Sequence, residues 1–280
     1  MKRFPANYYI EGIRAQDRFI LSRAITLIES RRSSDRQLAQ EVLTALMPEA
    51  GNSVRLGITG VPGVGKSTFI ESFGLMQAER GTKVAVLAID PSSPSSQGSI
   101  LGDKTRMNDL SQHPNAFIRP SATGNSLGGV GQKTRETMFL CEAAGYELII
   151  VETVGVGQSE TVVRGMVDFF LLLMLPGAGD ELQGIKRGIM EMADAIAINK
   201  SEGENQKRAR LAQKAYQNAL HLFPMPVSGW LPKVLTCSAL QRENLDGIWE
   251  VIQEFVSHTK ENDTWNTQRQ SQNKDWFYEA

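Results

Sequence analysis

The stretch Gly60-Val61-Pro62-Gly63-Val64-Gly65-Lys66-Ser67 decides the fold. It matches the pattern GxxxxGK followed by Ser or Thr at every fixed position. The apolar run 54–59 precedes it, and a helical pattern over 68–79 follows it. A strand, a glycine-rich turn and a helix in this order identify a phosphate-binding P-loop, because a chance glycine turn lacks that context.

The residue types of this loop predict its chemistry. Glycines let the backbone N–H groups point at phosphate oxygens, and the following helix presents its positive N-terminus to the same anion. We therefore predict that residues 60–68, ending at Thr68, bind the phosphates of a nucleotide. Within them, Lys66 should reach the β and γ phosphates, and the Ser67 hydroxyl should coordinate Mg²⁺.

From residue 54 onward, short apolar runs alternate with longer amphipathic segments. Several runs are continuously apolar, which is typical of strands buried on both faces of a parallel sheet. Strands that alternate with helices predict an α/β fold in three layers, with a mostly parallel central sheet. The predicted strands are 54–59, 84–89, 116–118, 148–151, 169–175, 195–198 and 234–235, and the predicted helices include 68–79, 134–144, 205–221 and 245–258.

Both ends of the chain differ from this alternating core, which we predict to span 54–258. Residues 1–53 carry apolar side chains at helical spacing, so we predict an N-terminal helical extension. Residues 259–280 are polar apart from a few aromatic residues such as Trp276. Their pattern leaves open a frayed or partly helical tail and a segment docked on the core.

Composition narrows the functional class of this 280-residue chain. Its 30 Lys and Arg balance 31 Asp and Glu, which gives no nucleic-acid footprint and no general attraction to acidic membranes. The longest apolar run, 169–175, is far shorter than the ~20 residues of a membrane helix. Two cysteines, Cys141 and Cys237, cannot build a disulfide framework and predict a reducing cytoplasm.

Carboxylates at predicted strand ends are candidates for the metal and catalytic shell. Glu152 and Gly155 follow the strand 148–151, where an acid helps to hold Mg²⁺ and a glycine N–H senses the γ-phosphate. Asp90 ends another strand, at the sheet edge where α/β folds bind ligands. Asp103 follows a loop rich in Ser, Pro and Gly, and is either part of a mobile switch around the metal or a helix N-cap.

Two later elements predict which base is recognised. Asn199-Lys200-Ser201-Glu202 resembles the NKxD element, whose carboxylate accepts hydrogen bonds from N1–H and the 2-amino group of guanine. Adenine lacks that donor pair, so the site would discriminate against it. Glu204 is an alternative to Glu202 as the acid. Ser238-Ala239-Leu240 resembles a base loop that supports the base through main-chain N–H groups.

Eight stretches together resemble the MeaB/ArgK family of P-loop GTPases, relatives of the human methylmalonic aciduria type A protein. The resemblance runs from about residue 15 to about residue 258. The strings GSILGDKTRM and VETVGVGQSE make it far more specific than a P-loop match alone. The stretches are GVPGVGKST, AIDPSSP, GSILGDKTRMNDL, FIRPSATGNSLGGV, LIIVETVGVGQSE, GDELQGIKRGIMEMAD, NKSEGE and CSAL.

This resemblance implies a GTPase core of the SIMIBI class that binds GTP with Mg²⁺ and hydrolyses it slowly. It also implies a chaperone role toward the cobalamin-dependent methylmalonyl-CoA mutase. Lys186 would lie in a third switch that responds to the partner protein. Gln158 would orient the attacking water, unless it is a solvated residue at the start of a helix.

Two features depart from the family pattern. Glu202 stands where the family normally has aspartate, which bears on strict guanine selectivity. The family also has a helical C-terminal arm used for dimerisation. We interpret 259–280 as a polar stub of a shortened arm, which puts a homodimer formed through it in question.

Three other functions compete with a GTPase chaperone. Older names in this family imply a kinase linked to amino-acid (Lys/Arg/ornithine) transport, although the sequence shows no acceptor-site signature. A metallochaperone GTPase would need Cys or His clustered near the nucleotide. A nucleotide-dependent interaction module that hardly hydrolyses GTP cannot be separated from a slow GTPase by sequence.

Overall fold

A parallel sheet of seven strands forms the centre of the described part of the protein, in the order β3-β2-β4-β1-β5-β6-β7. The computed structural model describes residues 3–30, 32–89, 107–119, 127–153, 159–177 and 187–279. Every predicted strand is present, so the predicted parallel α/β fold is confirmed. The strands are β1 (Val54–Gly60), β2 (Val84–Ile89), β3 (Ala116–Arg119), β4 (Leu148–Thr153), β5 (Phe169–Met174), β6 (Ala195–Ile198) and β7 (Lys233–Thr236).

Helices cover both faces of the sheet, which explains the continuously apolar strands. All residues of β4, β5 and β6 are buried. Successive residues of a strand point to opposite faces, and so Val84 and Val86 of β2 join one core cluster while Ala85 and Leu87 join the other. Burial of these side chains on both faces is the main driving force for the layered arrangement.

The helices of the described residues occupy three groups. Those of the N-terminal extension are α1 (Ala6–Arg14), α2 (Arg18–Ile28) and α3 (Ser33–Leu46), followed by a 3₁₀ turn (Met47–Glu49). The core helices are α4 (Lys66–Glu79), α5 (Asn108–Gln112), α6 (Leu127–Ala143), α7 (Ser159–Arg164), α8 (Arg187–Met192), α9 (Asn205–Leu220) and α10 (Leu245–Glu261), and α11 (Thr264–Glu279) follows them. No helix in these ranges is both long and apolar enough to span a membrane.

The N-terminal helices share a hydrophobic core with the sheet. Tyr9 of α1 and Ile25 of α2 are fully buried in the same cluster as Cys141 of α6 and Ile149 of β4. The Asp17 side chain caps α2 by accepting hydrogen bonds from the N–H groups of its first turn. The extension therefore packs as a layer on α6.

The polar end of the chain is helical. α10 ends at Glu261, beyond the boundary at 258 that the sequence predicts. Thr259 in this last turn is buried, and its hydroxyl donates to the Phe255 carbonyl at 2.8 Å, so the polar residue is accommodated inside the helix. α11 follows after two residues, and its Trp265 is buried. Residues 264–279 are thus a helix that packs on the rest of the protein.

Hydrogen bonds attach α11 to the amino ends of two strands. Arg269 donates to the Ser53 carbonyl at 2.6 Å and to both carboxylate oxygens of Asp168 at 2.7 Å. The Gln272 side-chain amide donates to the Val167 carbonyl at 2.8 Å. Ser53 precedes β1, whereas Val167 and Asp168 precede β5, so α11 covers the sheet edge opposite the P-loop.

Candidate functional site

The P-loop lies at the carboxyl end of β1, between β4 and β5. β1 is the fourth of seven strands, and its neighbours belong to the two different halves of the sheet. In open α/β sheets, ligands bind in the crevice at such a switch point. The predicted strand–loop–helix unit is present, since β1 ends at Gly60 and α4 begins at Lys66.

Two glycines of the loop are required by its geometry. Gly65 has φ of 92°, and a Cβ there would lie 3.0 Å from the Asn199 side-chain amide nitrogen. A Cβ on Gly60 would lie 2.5 Å from the Leu173 carbonyl oxygen of the neighbouring strand. A side chain at either position would force the backbone to shift, which is the physical reason for glycine at the two ends of the loop.

The Lys66 side chain reaches back across the P-loop to its first residue. Its Nζ donates to the Gly60 carbonyl at 2.8 Å. Burial lowers the pKa of Lys66 below its ordinary value of 10.5, and the charges of Glu152 and Glu160 oppose this shift without cancelling it. A partly desolvated ammonium at the first turn of α4 is suited to bind a phosphate anion, whose charge compensates the burial.

Glu160 is a site residue that the sequence reasoning missed. It lies in the first turn of α7 and is almost completely buried, although it is ionisable. Its charge acts on Lys66 together with that of Glu152. The sequence offered one indication of this role: Glu160 ends the string VETVGVGQSE, which also contains the predicted site residues Glu152 and Gln158.

The carboxyl end of β4 brings an acid beside the P-loop strand. Glu152 pairs in register with Ile58 of β1 and is buried. The next residue, Thr153, donates its hydroxyl to the Thr59 hydroxyl at 2.9 Å, which fixes the two strand ends to each other. Carboxylate and hydroxyl oxygens are the hard ligands that Mg²⁺ prefers, and so Glu152 and the half-buried Ser67 fit a magnesium ion.

Five predicted site residues lie outside the described residues: Asp90, Asp103, Gly155, Gln158 and Lys186. Two of the strands that precede them end side by side at the carboxyl edge of the sheet. Ile89, which precedes Asp90, pairs with Thr153 of β4. The roles of these five residues stay predictions from the sequence.

Asn199 connects the P-loop to the predicted base loop. Its side-chain nitrogen donates to the Val64 carbonyl at 2.9 Å, and its side-chain oxygen accepts from the Ala239 N–H at 2.9 Å. Lys200 next to it donates its Nζ to the Gly63 carbonyl at 2.8 Å. The structure thus places Asn199 and Lys200 between the phosphate-binding and base-binding elements.

One carboxylate oxygen of Glu202, Oε2, is buried and accepts no hydrogen bond from the described residues. Burial, with the charge of Glu202 as a second contribution, raises the pKa of the Cys237 thiol to about 12. Glu204, the alternative acid, is exposed immediately before α9. An acceptor with no donor among the described residues favours Glu202 as the base-reading acid.

The predicted base loop is shaped by its own hydrogen bonds. The N–H of Ser238 donates to the Glu243 carbonyl, and that of Ala239 donates to Asn199, so neither is directed at a base as the sequence reasoning assumed. Ser72 of α4, also missed from the sequence, donates its hydroxyl to the Ala239 carbonyl at 2.7 Å. The side chain of Leu240 is 75% exposed and stands at the outer end of the loop.

Known proteins resemble this chain over nearly its whole length. The family model described as methylmalonyl Co-A mutase-associated GTPase MeaB matches residues 21–280. GTPase ArgK of Escherichia coli (strain K12) is 51% identical over 268 residues, which cover 96% of this chain and 81% of ArgK. The mitochondrial methylmalonic aciduria type A homolog of Mus musculus is 46% identical over 287 residues, which cover 99% of this chain and 69% of the homolog.

Solved structures agree with these relatives. The crystal structure of a LAO/AO transport system kinase superposes with a TM-score of 0.86 at 42% identity, covering 99% of this chain and 83% of that one. HypB from Helicobacter pylori, solved in complex with nickel, superposes with a TM-score of 0.51 at 16% identity. The second likeness shows a shared fold alone.

Proposed function

The chain belongs to the MeaB family of methylmalonyl-CoA mutase-associated GTPases, and we propose that it acts as a GTP-driven chaperone of a cobalamin-dependent acyl-CoA mutase. That it is a GTPase follows from the family and from its relatives. The client rests on the family description and on the methylmalonic aciduria type A homolog. The single structural observation that supports a guanine nucleotide is the buried Oε2 of Glu202, which accepts no hydrogen bond from the part of the chain that the structure describes.

The P-loop residues position the triphosphate. In this proposal the backbone of residues 60–65 and the N-terminus of α4 bind the phosphate oxygens, and Lys66 moves from the Gly60 carbonyl to the β and γ phosphates. Because the Lys66 ammonium is already partly desolvated, its attraction to the charge that develops on transfer is strong. Slow hydrolysis follows from positioning and charge alone, and a partner would complete the site.

Ser67 and Glu152 would hold Mg²⁺, together with Asp90 and Asp103, whose assignment comes from the sequence. Bound there, the ion would neutralise charge on the phosphates. Gly155 would sense the γ-phosphate and Gln158 would orient the attacking water. Lys186, in the third switch that the family resemblance implies, would respond to the client.

Glu202 would select the base by accepting hydrogen bonds from N1–H and the 2-amino group of guanine. Its extra methylene relative to aspartate changes the reach, and the buried position of Oε2 supports an orientation toward the base. Asn199 would hold the two loops at a fixed separation, because its bonds to Val64 and Ala239 join them directly.

The Glu202→Gln variant should bind GTP about tenfold to a hundredfold more weakly, since hydrogen bonds to a charged group contribute about 1.5–3 kcal/mol. The amide offers one acceptor and places an NH₂ group against guanine donors. Affinities for GTP, inosine triphosphate and ATP, measured by competition with a fluorescent nucleotide, test this. Inosine lacks the 2-amino group, so the variant should lose less affinity for it than for GTP.

The matched control is Glu204→Gln, which removes the exposed alternative acid and should leave GTP affinity within about twofold. Glu202→Asp keeps the charge and should retain preference for GTP over ATP. If Glu204→Gln weakens GTP binding and Glu202→Gln does not, the base-reading acid is Glu204.

The client can be identified by affinity capture with the protein loaded with a non-hydrolysable GTP analogue or with GDP. We expect a cobalamin-dependent mutase to be enriched in one nucleotide state relative to the other, because a chaperone that uses GTP must bind its client with nucleotide-dependent affinity. Equal recovery of the mutase in both states, or its absence from both, would contradict the client proposal. A Ser67→Ala variant, which lacks the hydroxyl proposed to bind the metal, is the matched control.

The name of the transport system kinase raises a second candidate, phosphoryl transfer to a protein or small molecule. Labelled γ-phosphate distinguishes the two. If the protein is a GTPase, the labelled γ-phosphate should appear as free phosphate. Transfer to an acceptor faster than release of free phosphate would favour the kinase.

The cytoplasmic location also stays a proposal. Cys141 and Cys237 are both free and buried. Unpaired thiols of this kind fit a reducing compartment.

A further inference from the structure

A second cavity lies at the edge of the sheet opposite the P-loop. It has a volume of about 510 Å³ and is formed between α3, α6 and α11. Arg55, at the base of the cavity, is the second residue of β1, and the P-loop begins at Gly60, the last residue of the same strand. The five residue steps from Arg55 to Gly60 span about 17 Å of extended strand, and so the two sites are separate. Ligand pockets typically enclose about 300–1,000 Å³. The size therefore suits one small molecule distinct from the nucleotide.

Three helices each contribute one stripe of side chains to this cavity. The residues of each stripe are three or four positions apart and so lie on one face of their helix. The third stripe comes from α11, the segment for which the sequence left open a frayed tail and a segment docked on the core. The stripes are Gln40, Leu43 and Met47 at α3 and the turn after it, Gln132, Glu136 and Phe139 on α6, and Arg269, Asn273 and Trp276 on α11.

The aromatic wall contains an unused donor. The rings of Phe139 and Trp276 lie 5.3 Å apart at an angle of 39°. Trp276 Nε1 is shielded from solvent, and no described residue accepts its hydrogen bond. A buried indole N–H normally finds an acceptor, because leaving it unpaired costs free energy. An acceptor on a bound molecule would satisfy it.

The charges around the cavity are already compensated. Arg55 is paired with Glu142 at 2.8 Å, and its guanidinium also lies over the Phe139 ring. Arg269 is paired with Asp168, and Glu136 with Lys133 at 2.8 Å. A charged ligand would have to displace one of these partners, so the cavity favours a neutral molecule.

We propose that this cavity, the α3–α6–α11 pocket, is a second ligand site that binds a neutral, planar heteroaromatic molecule through a hydrogen bond from Trp276 Nε1. A flat ring system would pack on Phe139 and Trp276, and would bury apolar area against Leu43 and Met47. The side-chain amides of Gln132 and Asn273 at the pocket would supply further donors and acceptors for ring substituents.

Isoquinolin-1-one and quinazolin-4-one are suitable probes, since both are neutral, planar and carry a carbonyl acceptor. We expect saturable binding at up to millimolar concentration by ligand-observed NMR, with no displacement by GDP. Trp276→Phe keeps the ring but removes the donor, and should weaken binding about threefold to tenfold. Any fall in its melting temperature should be small and come from the smaller ring alone, because the lost N–H has no acceptor among the described residues.

Two further variants complete the test. Ala50→Phe places a ring in the pocket and should abolish probe binding while GTP binding persists, which also shows that the variant is folded. Trp249→Phe is the matched control, because Trp249 packs on Phe73 of α4, away from the pocket. Absence of saturable binding by both probes, equal binding to Ala50→Phe and wild type, or displacement by GDP would each overturn the proposal.

Discussion

Replacing Lys66 by alanine should reduce single-turnover GTP hydrolysis by about a hundredfold or more, the cost typical of removing one group that stabilises transition-state charge. Lys66 Nζ lies within the P-loop, 2.8 Å from the Gly60 carbonyl, where the phosphates are expected. The variant should also bind GTP more weakly, because the same ammonium contacts phosphate before the reaction begins.

The fold should tolerate this change. The lowered pKa of Lys66, caused first by burial, means that the protonated side chain is less favourable in the folded protein than in the unfolded chain. The melting temperature of Lys66→Ala should therefore stay close to that of the wild type, because relief of the buried charge offsets the lost hydrogen bond to the Gly60 carbonyl. Lys214→Ala, which removes an exposed lysine of α9, is the matched control for both measurements. Hydrolysis by Lys66→Ala within about threefold of the wild type would be incompatible with the proposed role.

The largest loss of stability should come from Glu142→Ala, with a decrease of about 3–5 kcal/mol in the free energy of unfolding. Glu142 accepts hydrogen bonds from the Gly51 N–H, the Ser53 hydroxyl and two nitrogens of Arg55, at 2.6–2.9 Å. Both members of the ion pair are buried. Truncation leaves the Arg55 charge without its partner in a desolvated site, which costs more than the contact itself contributed.

Urea denaturation monitored by circular dichroism measures this effect. Glu250→Ala, at an exposed position of α10, should stay within about 0.5 kcal/mol of the wild type. The double variant Arg55→Leu with Glu142→Leu should be less destabilised than Glu142→Ala, since no charge is left buried. A loss below 1 kcal/mol for Glu142→Ala would show that the pair is dispensable.

The contribution of Glu142 should also depend on pH. Burial opposes its ionisation, but the hydrogen bonds and charge of Arg55, with help from Ser53, outweigh burial and hold the pKa of Glu142 below its ordinary value of 4.5. Because the pKa of Glu142 is lower in the folded protein than in the unfolded chain, its ionised carboxylate stabilises the fold at pH values above 4.5. This stabilisation is lost as the pH falls through the lower pKa of the folded state. The difference between the wild type and Glu142→Ala should shrink over that acidic range.

The sheet and the P-loop were predictable from sequence because their signals are local. β5 is apolar at every position, and so are the first four residues of β4, 148–151. The P-loop pattern lies between a strand and a helix that can both be recognised in the sequence. A strand that is buried on both faces needs apolar side chains at successive positions, and so burial explains both the sequence pattern and the layered structure.

The connections within the site could not be predicted, because they join side chains to distant main-chain atoms. Asn199 bonds the Val64 carbonyl 135 residues away and the Ala239 N–H 40 residues away. A carbonyl or N–H carries no sequence signature. The same holds for the N–H groups of Ser238 and Ala239, which bond the Glu243 carbonyl and the Asn199 side chain. The role of the base loop as a whole stays a prediction.

The sequence left the packing of α11 open for a different reason. Its attachment depends on hydrogen bonds from Arg269 and Gln272 to main-chain carbonyls and to Asp168. Two separate aromatic contacts, from the buried Trp265 and from Trp276 on Phe139, add to them, but the helix has no continuous apolar stripe. Hydrophobic periodicity detects helices that pack through apolar faces. A helix that packs largely through hydrogen bonds therefore resembles a solvated tail in sequence.

Single-turnover hydrolysis of GTP, measured with and without a purified cobalamin-dependent methylmalonyl-CoA mutase, tests the central proposal most directly. We expect slow release of phosphate by the protein alone, faster release with the mutase, and neither with Lys66→Ala. Hydrolysis that the mutase leaves unchanged would contradict the chaperone role. No hydrolysis in either condition, together with unimpaired GTP binding by Lys66→Ala, would contradict the assignment of the site itself.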